Sequence, residues 1–138
     1  MSATPSAADI VREFLPTSPF VAHLGMKLSD MAPDRVTLEL PFRDSLVTIG
    51  TTVHSGALAS LIDTAAMVAA WSGAETPENL RGTTVALSIT FLAPADGEDV
   101  VADASVLRRG RNLAFVDVDV RTVGGRSVAK GLVTYKLG

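Results

Sequence analysis

Cysteine is absent from this 138-residue chain, and aromatic side chains are sparse: five Phe, one Tyr and one Trp. The missing thiols exclude disulfides, thiolate metal sites and a cysteine nucleophile, which fits a reducing compartment and an expected cytoplasmic location. A cationic surplus is missing too, since 12 Lys and Arg face 15 Asp and Glu for a net charge of −3 and a pI near 5.2. General nucleic-acid binding, which leaves a basic footprint, is not expected. Residues 1–8 have neither a basic n-region nor an apolar h-region, so no secretory signal is expected. The Ala-rich stretch over residues 57–71 is shorter than the roughly 18 residues of a membrane span and carries an acid at its centre, so no membrane partner is expected.

The length predicts one domain over residues 1–138, able to bury about two-thirds of the surface its unfolded chain exposes. Residues 1–19 are expected to be a mobile lead-in or a short helix. Hydrophobic residues make up 47% of the chain and charged residues 20%, a slightly apolar balance that points to a subunit interface.

Charge is distributed unevenly. Asp63 is the only Asp, Glu, Lys or Arg between Asp44 and Glu75, and it sits in the middle of the apolar run from Gly56 to Trp71. A segment apolar on all sides predicts a buried helix, and an unpartnered carboxylate is costly in such surroundings. Asp63 is therefore the first candidate for chemistry.

Residues 7–15 have an amphipathic helical pattern that Pro16 and Pro19 should end, and residues 20–24 suffice for one further turn. A strand around residues 26–31 is expected to pair, through a turn at Ala32-Pro33-Asp34, with residues 35–42, where Val36, Leu38, Leu40 and Phe42 share one face. The long helix is predicted over about residues 55–72, followed by a loop over 73–82 containing Pro77. Beyond it the chain reads as strands over 83–92, 100–107, 113–122 and 126–137, consecutive and antiparallel. They are divided by turns at 94–97, at the basic cluster 108–111 and at Gly124-Gly125. In the first of them Val85, Leu87, Ile89 and Phe91 are expected to point inward. One apolar helix among about six strands must be wrapped by the sheet, an α+β architecture.

His54, Ser55 and Gly56 lead straight into the long helix, whose first backbone N–H groups have no intrahelical partner. Such donors suit a developing negative charge, as on the tetrahedral intermediate of acyl transfer. Asp63 lies eight residues further on, about 12 Å along the axis, beyond the reach of its side chain. If both belong to one site, they come from different subunits, and a two-fold homodimer forms that site twice.

The pattern Gly-x-x-x-His-x-Gly-Ala-Leu-x-x-Leu-x-Asp over residues 50–63, the block Gly-Thr-Thr-Val-Ala-Leu-Ser-Ile-Thr-Phe-Leu-Ala-Pro over 82–94, and Arg-Arg-Gly-Arg-Asn-Leu-Ala-Phe over 108–115 followed by Val-Ala-Lys-Gly over 128–131 resemble hotdog-fold acyl-CoA thioesterases of the phenylacetate-degradation PaaI type. The resemblance covers nearly all of the chain after about residue 20. It implies hydrolysis of an acyl- or arylacetyl-CoA thioester across a dimer interface, without metal or other cofactor. Asp63 is then the general base or the nucleophile. Ser55, with Gly56, supplies the oxyanion-binding amide, His54 orients the loop, and Thr84 helps to place the water or nucleophile. Thr83 and Val85 flank the substrate, and a homotetramer built from two dimers is the implied assembly. This chain departs from many relatives in having Ser55 in place of a first Gly after the His, and Thr48 in place of an Asn six residues before it. The cluster Arg108, Arg109, Gly110 and Arg111 offers planar guanidinium forks to the phosphates of CoA.

Blander assignments stand beside these. Asp63 can be satisfied by Ser60, Thr64 or a partner chain, His54 can be a structural hydrogen-bonding residue, and the arginine turn can be a solvated face. His23 and His54, without neighbouring Cys, do not suggest a metal site. No Gly-x-Ser-x-Gly elbow surrounds Ser55 or Ser60, which argues against a serine hydrolase. The alternatives to hydrolysis are an acyl-CoA-binding hotdog protein without catalysis and a hotdog enoyl-CoA hydratase or dehydratase. The Asp-x-Asn-Pro-x-His motif of the latter is missing.

Overall fold

An antiparallel sheet curved around one long helix dominates the computed structural model, which describes residues 5–76 and 81–138. Pro77, in the expected loop, lies outside the described residues. The chain opens with α1 (Ala7–Phe14), a 3-10 turn over Leu15–Thr17 and α2 (Pro19–Leu24). Pro19 does not end a helix here. It occupies the first turn of α2, where proline's fixed φ is suited and its missing N–H is not needed.

Strands β1 (Lys27–Ala32) and β2 (Arg35–Leu40) form the expected hairpin, with Asp34 at φ 67° in its turn. Two short strands that alternation did not announce, β3 (Val47–Ile49) and β4 (Thr52–Val53), pair with each other ahead of α3 (Ser55–Ser72). The helix has the expected bounds. Strands β5 (Gly82–Phe91), β6 (Val100–Arg109), β7 (Leu113–Thr122) and β8 (Ser127–Leu137) complete the chain.

The six long strands lie in the order β1-β2-β6-β7-β8-β5, all antiparallel. The expectation of strands paired in simple succession is corrected at one place. β5 pairs with β8 at one edge, and the chain then crosses so that β6 lies beside β2. The connection at residues 92–99 is therefore a crossing rather than a hairpin turn. It is held by Val53 N–H donating to the Ala95 carbonyl at 2.9 Å and by a bridge between Thr52 and Asp96.

A second correction concerns β5 itself. Ile89 packs against the core, but Val85, Leu87 and Phe91 are 52%, 42% and 46% exposed. The reason is position. β5 is an edge strand of the sheet, with a bulge between Thr84 and Ala86, and these side chains stay exposed among the described residues. The expected basic turn also shifts, because Arg108 and Arg109 end β6 and the turn proper begins at Gly110, whose N–H donates to the Leu113 carbonyl at 2.7 Å.

The core lies between α3 and the sheet, where Leu61, Ile62, Ala65, Ala66, Val68 and Ala69 are fully buried. Gly131 on β8 allows the close approach, since a Cβ there would stand 2.7 Å from Cγ2 of Ile62. The helix is not enclosed on every side, however. Ser60, Asp63, Thr64 and Met67, spaced i, i+3, i+4, i+7, form a half-buried stripe on one face.

Candidate active site

The stripe positions Asp63, and β5 supplies its partner. Thr84 Oγ1 donates to Asp63 Oδ1 at 2.6 Å, a short charge-assisted bond that fixes the carboxylate and leaves Oδ2 available. Asp63 is half-buried rather than wholly enclosed, because it lies on the open face of α3. It lines a cavity of about 450 Å³ together with Thr83, Thr84, Met67 and Tyr135, and with Phe14 and Phe20 from the N-terminal helices.

Sequence reasoning missed Tyr135. Its ring is buried, its oxygen accepts the Trp71 indole N–H at 3.2 Å, and it is the cross-strand partner of Thr84. The signal available was the alternation of β8, which puts Val133 and Tyr135 on one face. Facing Asp63, however, required knowing that β5 pairs with β8. Burial first of all, and then the negative charge of Asp63, raise the phenol's pKa above its usual 10.0, while the Trp71 hydrogen bond opposes this.

The start of α3 forms a separate place. His54 is the N-cap: its Nδ1 accepts the Gly56 N–H at 2.7 Å, and its carbonyl accepts from Ala57 and Leu58. The Gly56 amide is thereby engaged, whereas the Ser55 N–H has no partner among the described residues. His54 thus serves to shape the helix entrance. Ser55 and Thr48 share a second cavity of about 400 Å³ with Leu58, Phe91 and Leu92. Within one chain, therefore, the predicted residues fall into two groups on different cavities, Asp63, Thr83 and Thr84 in one, and Thr48 and Ser55 in the other.

The arginines divide as well. Arg109 turns inward, its Nη2 donating to Asp34 Oδ1 at 2.6 Å and to the Ala70 carbonyl at 2.9 Å. It ties the end of β6 to the last turn of α3, where a cation complements the helix dipole. Arg108 and Arg111 are exposed and, with Gly110, border a third cavity of about 450 Å³. Val85 lies on the bulge beside Thr84.

The sequence pattern of the thioesterase superfamily matches residues 50–129, from the turn between β3 and β4 to the start of β8. The chain belongs to the thioesterase superfamily. It is 31% identical over 140 residues to human acyl-coenzyme A thioesterase 13, an alignment that covers 99% of this chain and 98% of that protein. Its fold matches the crystal structure of a thioesterase family protein from Silicibacter pomeroyi with a TM-score of 0.85 at 27% identity, over 96% of this chain and all of the other. The E. coli PaaI protein from the phenylacetic acid degradation operon has the same fold, with a TM-score of 0.85 at 21% identity, over 96% of this chain and 93% of its own. The superfamily's hotdog arrangement, a long helix wrapped by an antiparallel sheet, is the architecture seen here. No helix among the described residues is long and apolar enough to cross a membrane.

Proposed function

We propose that this thioesterase-superfamily protein hydrolyses the thioester of an acyl-CoA, with Asp63 of one subunit and the Ser55 amide of its partner acting on one substrate. The observation that carries this reading is the Thr84-held carboxylate inside a substrate-sized cavity. The name of the human relative, an acyl-coenzyme A thioesterase, supports the substrate class.

The placement of β5 supports a route by which two half-sites become one. Gly82, Thr83 and Thr84 at its start border the Asp63 cavity, and Phe91 at its end borders the Ser55 cavity. Pairing β5 with the same strand of a second copy, antiparallel about a two-fold axis, lays the start of one strand against the end of the other. Asp63 then stands beside the partner's Ser55. Such pairing also covers a ten-residue edge that exposes Val85, Leu87 and Phe91, a surface that isolated proteins avoid leaving open. The homodimer is the minimal active unit. A homotetramer of two such dimers accounts for the further apolar side chains Leu107 and Leu132, 64% and 54% exposed. The absence of cysteine supports a cytoplasmic location.

In the reaction, Asp63 takes a proton from water as the water adds to the thioester carbonyl, or adds to that carbon itself. The carbonyl oxygen becomes an oxyanion held by the Ser55 N–H at the positive end of α3. Collapse breaks the C–S bond. When water is the nucleophile, the leaving thiolate takes the proton held by Asp63 and the acyl group departs as a carboxylic acid; when Asp63 itself adds, the thiolate is protonated by solvent and the acyl group stays on Asp63 as an anhydride, which a water then hydrolyses to release the acid and restore the carboxylate. Arg108 and Arg111 receive the phosphates. Purified protein should release free thiol from acyl-CoA, and Asp63→Asn should lower kcat by about 10²–10⁴-fold with the fold retained. Full activity in that variant would refute the assignment.

A further inference from the structure

Phe14 and Phe20 stand 40% and 56% exposed on the N-terminal helical segment, in which Val11, Leu15, Val21 and Leu24 are buried. The pair of helices is firmly held. A reciprocal Ser6–Asp9 capping box starts α1, and Thr17 Oγ1 donates to the Phe14 carbonyl at 2.6 Å. At the end of α2, Arg43 Nη2 donates to the His23 carbonyl at 2.7 Å, and Gly25 at φ 79° closes the helix through its N–H to the Val21 carbonyl. Two large rings kept in the open by so rigid a support mark an interaction surface. Both rings line the cavity that contains Asp63.

We infer that Phe14 and Phe20 form the outer wall of the acyl chamber and make the N-terminal helices the element that selects apolar acyl groups larger than acetyl, of arylacetyl or medium-chain size. The inference rests on the acyl-CoA reading above and adds which residues choose the acyl group. The cavity's volume of about 450 Å³ falls within the roughly 300–1,000 Å³ of small-molecule sites. Among the described residues no Lys or Arg lines it, and Met67 and Val21 join the two rings. The phosphates of CoA find no counter-charge there, whereas Arg108 and Arg111 border a different cavity. The apolar end of the ligand is the part that matches this chamber. A pocket of this kind distinguishes acyl groups by about 10- to 200-fold per methylene.

The test is steady-state kinetics of intact Phe14→Ala and Phe20→Ala proteins on acetyl-, hexanoyl- and phenylacetyl-CoA, with the assembly state followed by sedimentation. Both side chains are exposed, so truncation leaves the fold intact. The kcat/KM ratio of phenylacetyl- or hexanoyl-CoA to acetyl-CoA should fall about tenfold in each variant, in an assembly of unchanged size. An equal loss on all three substrates would place the rings on the CoA arm, dissociation would place them on the partner subunit, and an unchanged ratio would deny them any role. Each of these outcomes overturns the inference. If the unaltered protein hydrolyses none of the three, the thioesterase reading fails by itself. Equilibrium binding of non-hydrolysable thioether analogues then reads the wall separately: a tenfold change in the ratio of Kd values sustains it, and no change overturns it.

Discussion

The indole N–H of Trp71 is donated to the phenolic oxygen of Tyr135 at 3.2 Å, with the rings edge to face, their centroids 6.3 Å apart and their planes at 73°. This pair joins the last turn of α3 to the end of β8, beside the cavity of Asp63. Tyr135 is the only tyrosine in the chain, so tyrosinate absorbance reports on it alone.

Its titration midpoint should lie above the usual 10.0, for the reasons of burial and of the neighbouring Asp63 charge. Asp63→Asn removes that charge and should move the midpoint down. The fold favours the neutral phenol, so its contribution to stability is complete below about pH 10 and is lost as pH rises through the raised pKa. Chemical denaturation between pH 9 and 12 should show that decline and, in Tyr135→Phe, a smaller one, because Lys130, whose pKa Asp117 and Asp119 raise, loses its contribution in the same range. A midpoint unmoved by Asp63→Asn would mean that the two groups do not sense each other.

Ser55 is the first residue of α3, and the residue before it, His54, has φ −60° and ψ 133°, a conformation proline accepts in its predecessor. Ser55→Pro therefore deletes one N–H while the helix start is retained. Thermal stability should change little and kcat should fall by about 10²–10³-fold. Mixing this variant with Asp63→Asn under exchange conditions should restore about a quarter of the original activity, because half of the random dimers carry one intact site of two. No recovery in a mixture proven to exchange would put the two groups in one chain's site.

Thr84→Val keeps shape and removes the hydroxyl that orients Asp63. A lost bond to a charged acceptor is worth about 1.5–3 kcal/mol, so kcat should drop by roughly 10- to 100-fold. Thr84→Ser should recover most of it. Equal loss in both would point to packing rather than to the hydrogen bond.

The arginines should separate by phenotype. Arg109 bonds Asp34 and the Ala70 carbonyl, with Nε and Nη1 buried and unpartnered among the described residues. Arg109→Ala should cost about 1–3 kcal/mol in denaturant unfolding. Arg108→Ala and Arg111→Ala should leave stability nearly unchanged and raise KM for acyl-CoA, more so at low salt. The opposite pattern would reverse the assignment of anchor and phosphate contacts.

Much of the fold was legible because local chemistry announces it. The bounds of α3 follow from its predominantly apolar run between His54 and Gly73, and Asp63 stands out as the one charge within it. What escaped depends on neighbours distant in sequence. Alternation in β5 identifies the face that carries Val85, Leu87 and Phe91, but it does not say whether any layer covers that face. The pairing of Thr84 with Tyr135 required the chain to cross from one sheet edge towards the other. Arg109 is indistinguishable in composition from Arg108 and Arg111, and only the bulge between Val106 and Arg108 and the nearness of Ala70 set it apart.

Gly131 carries a meaning beyond packing. The hydrogen atom it presents to Ile62 governs how deeply the helix beds into its cradle, and Asp63 is the very next residue. An added methyl group would force Ile62, and the turn of helix that carries Asp63, to give way. The reach of an acid is thus calibrated by an atom missing from the opposite layer.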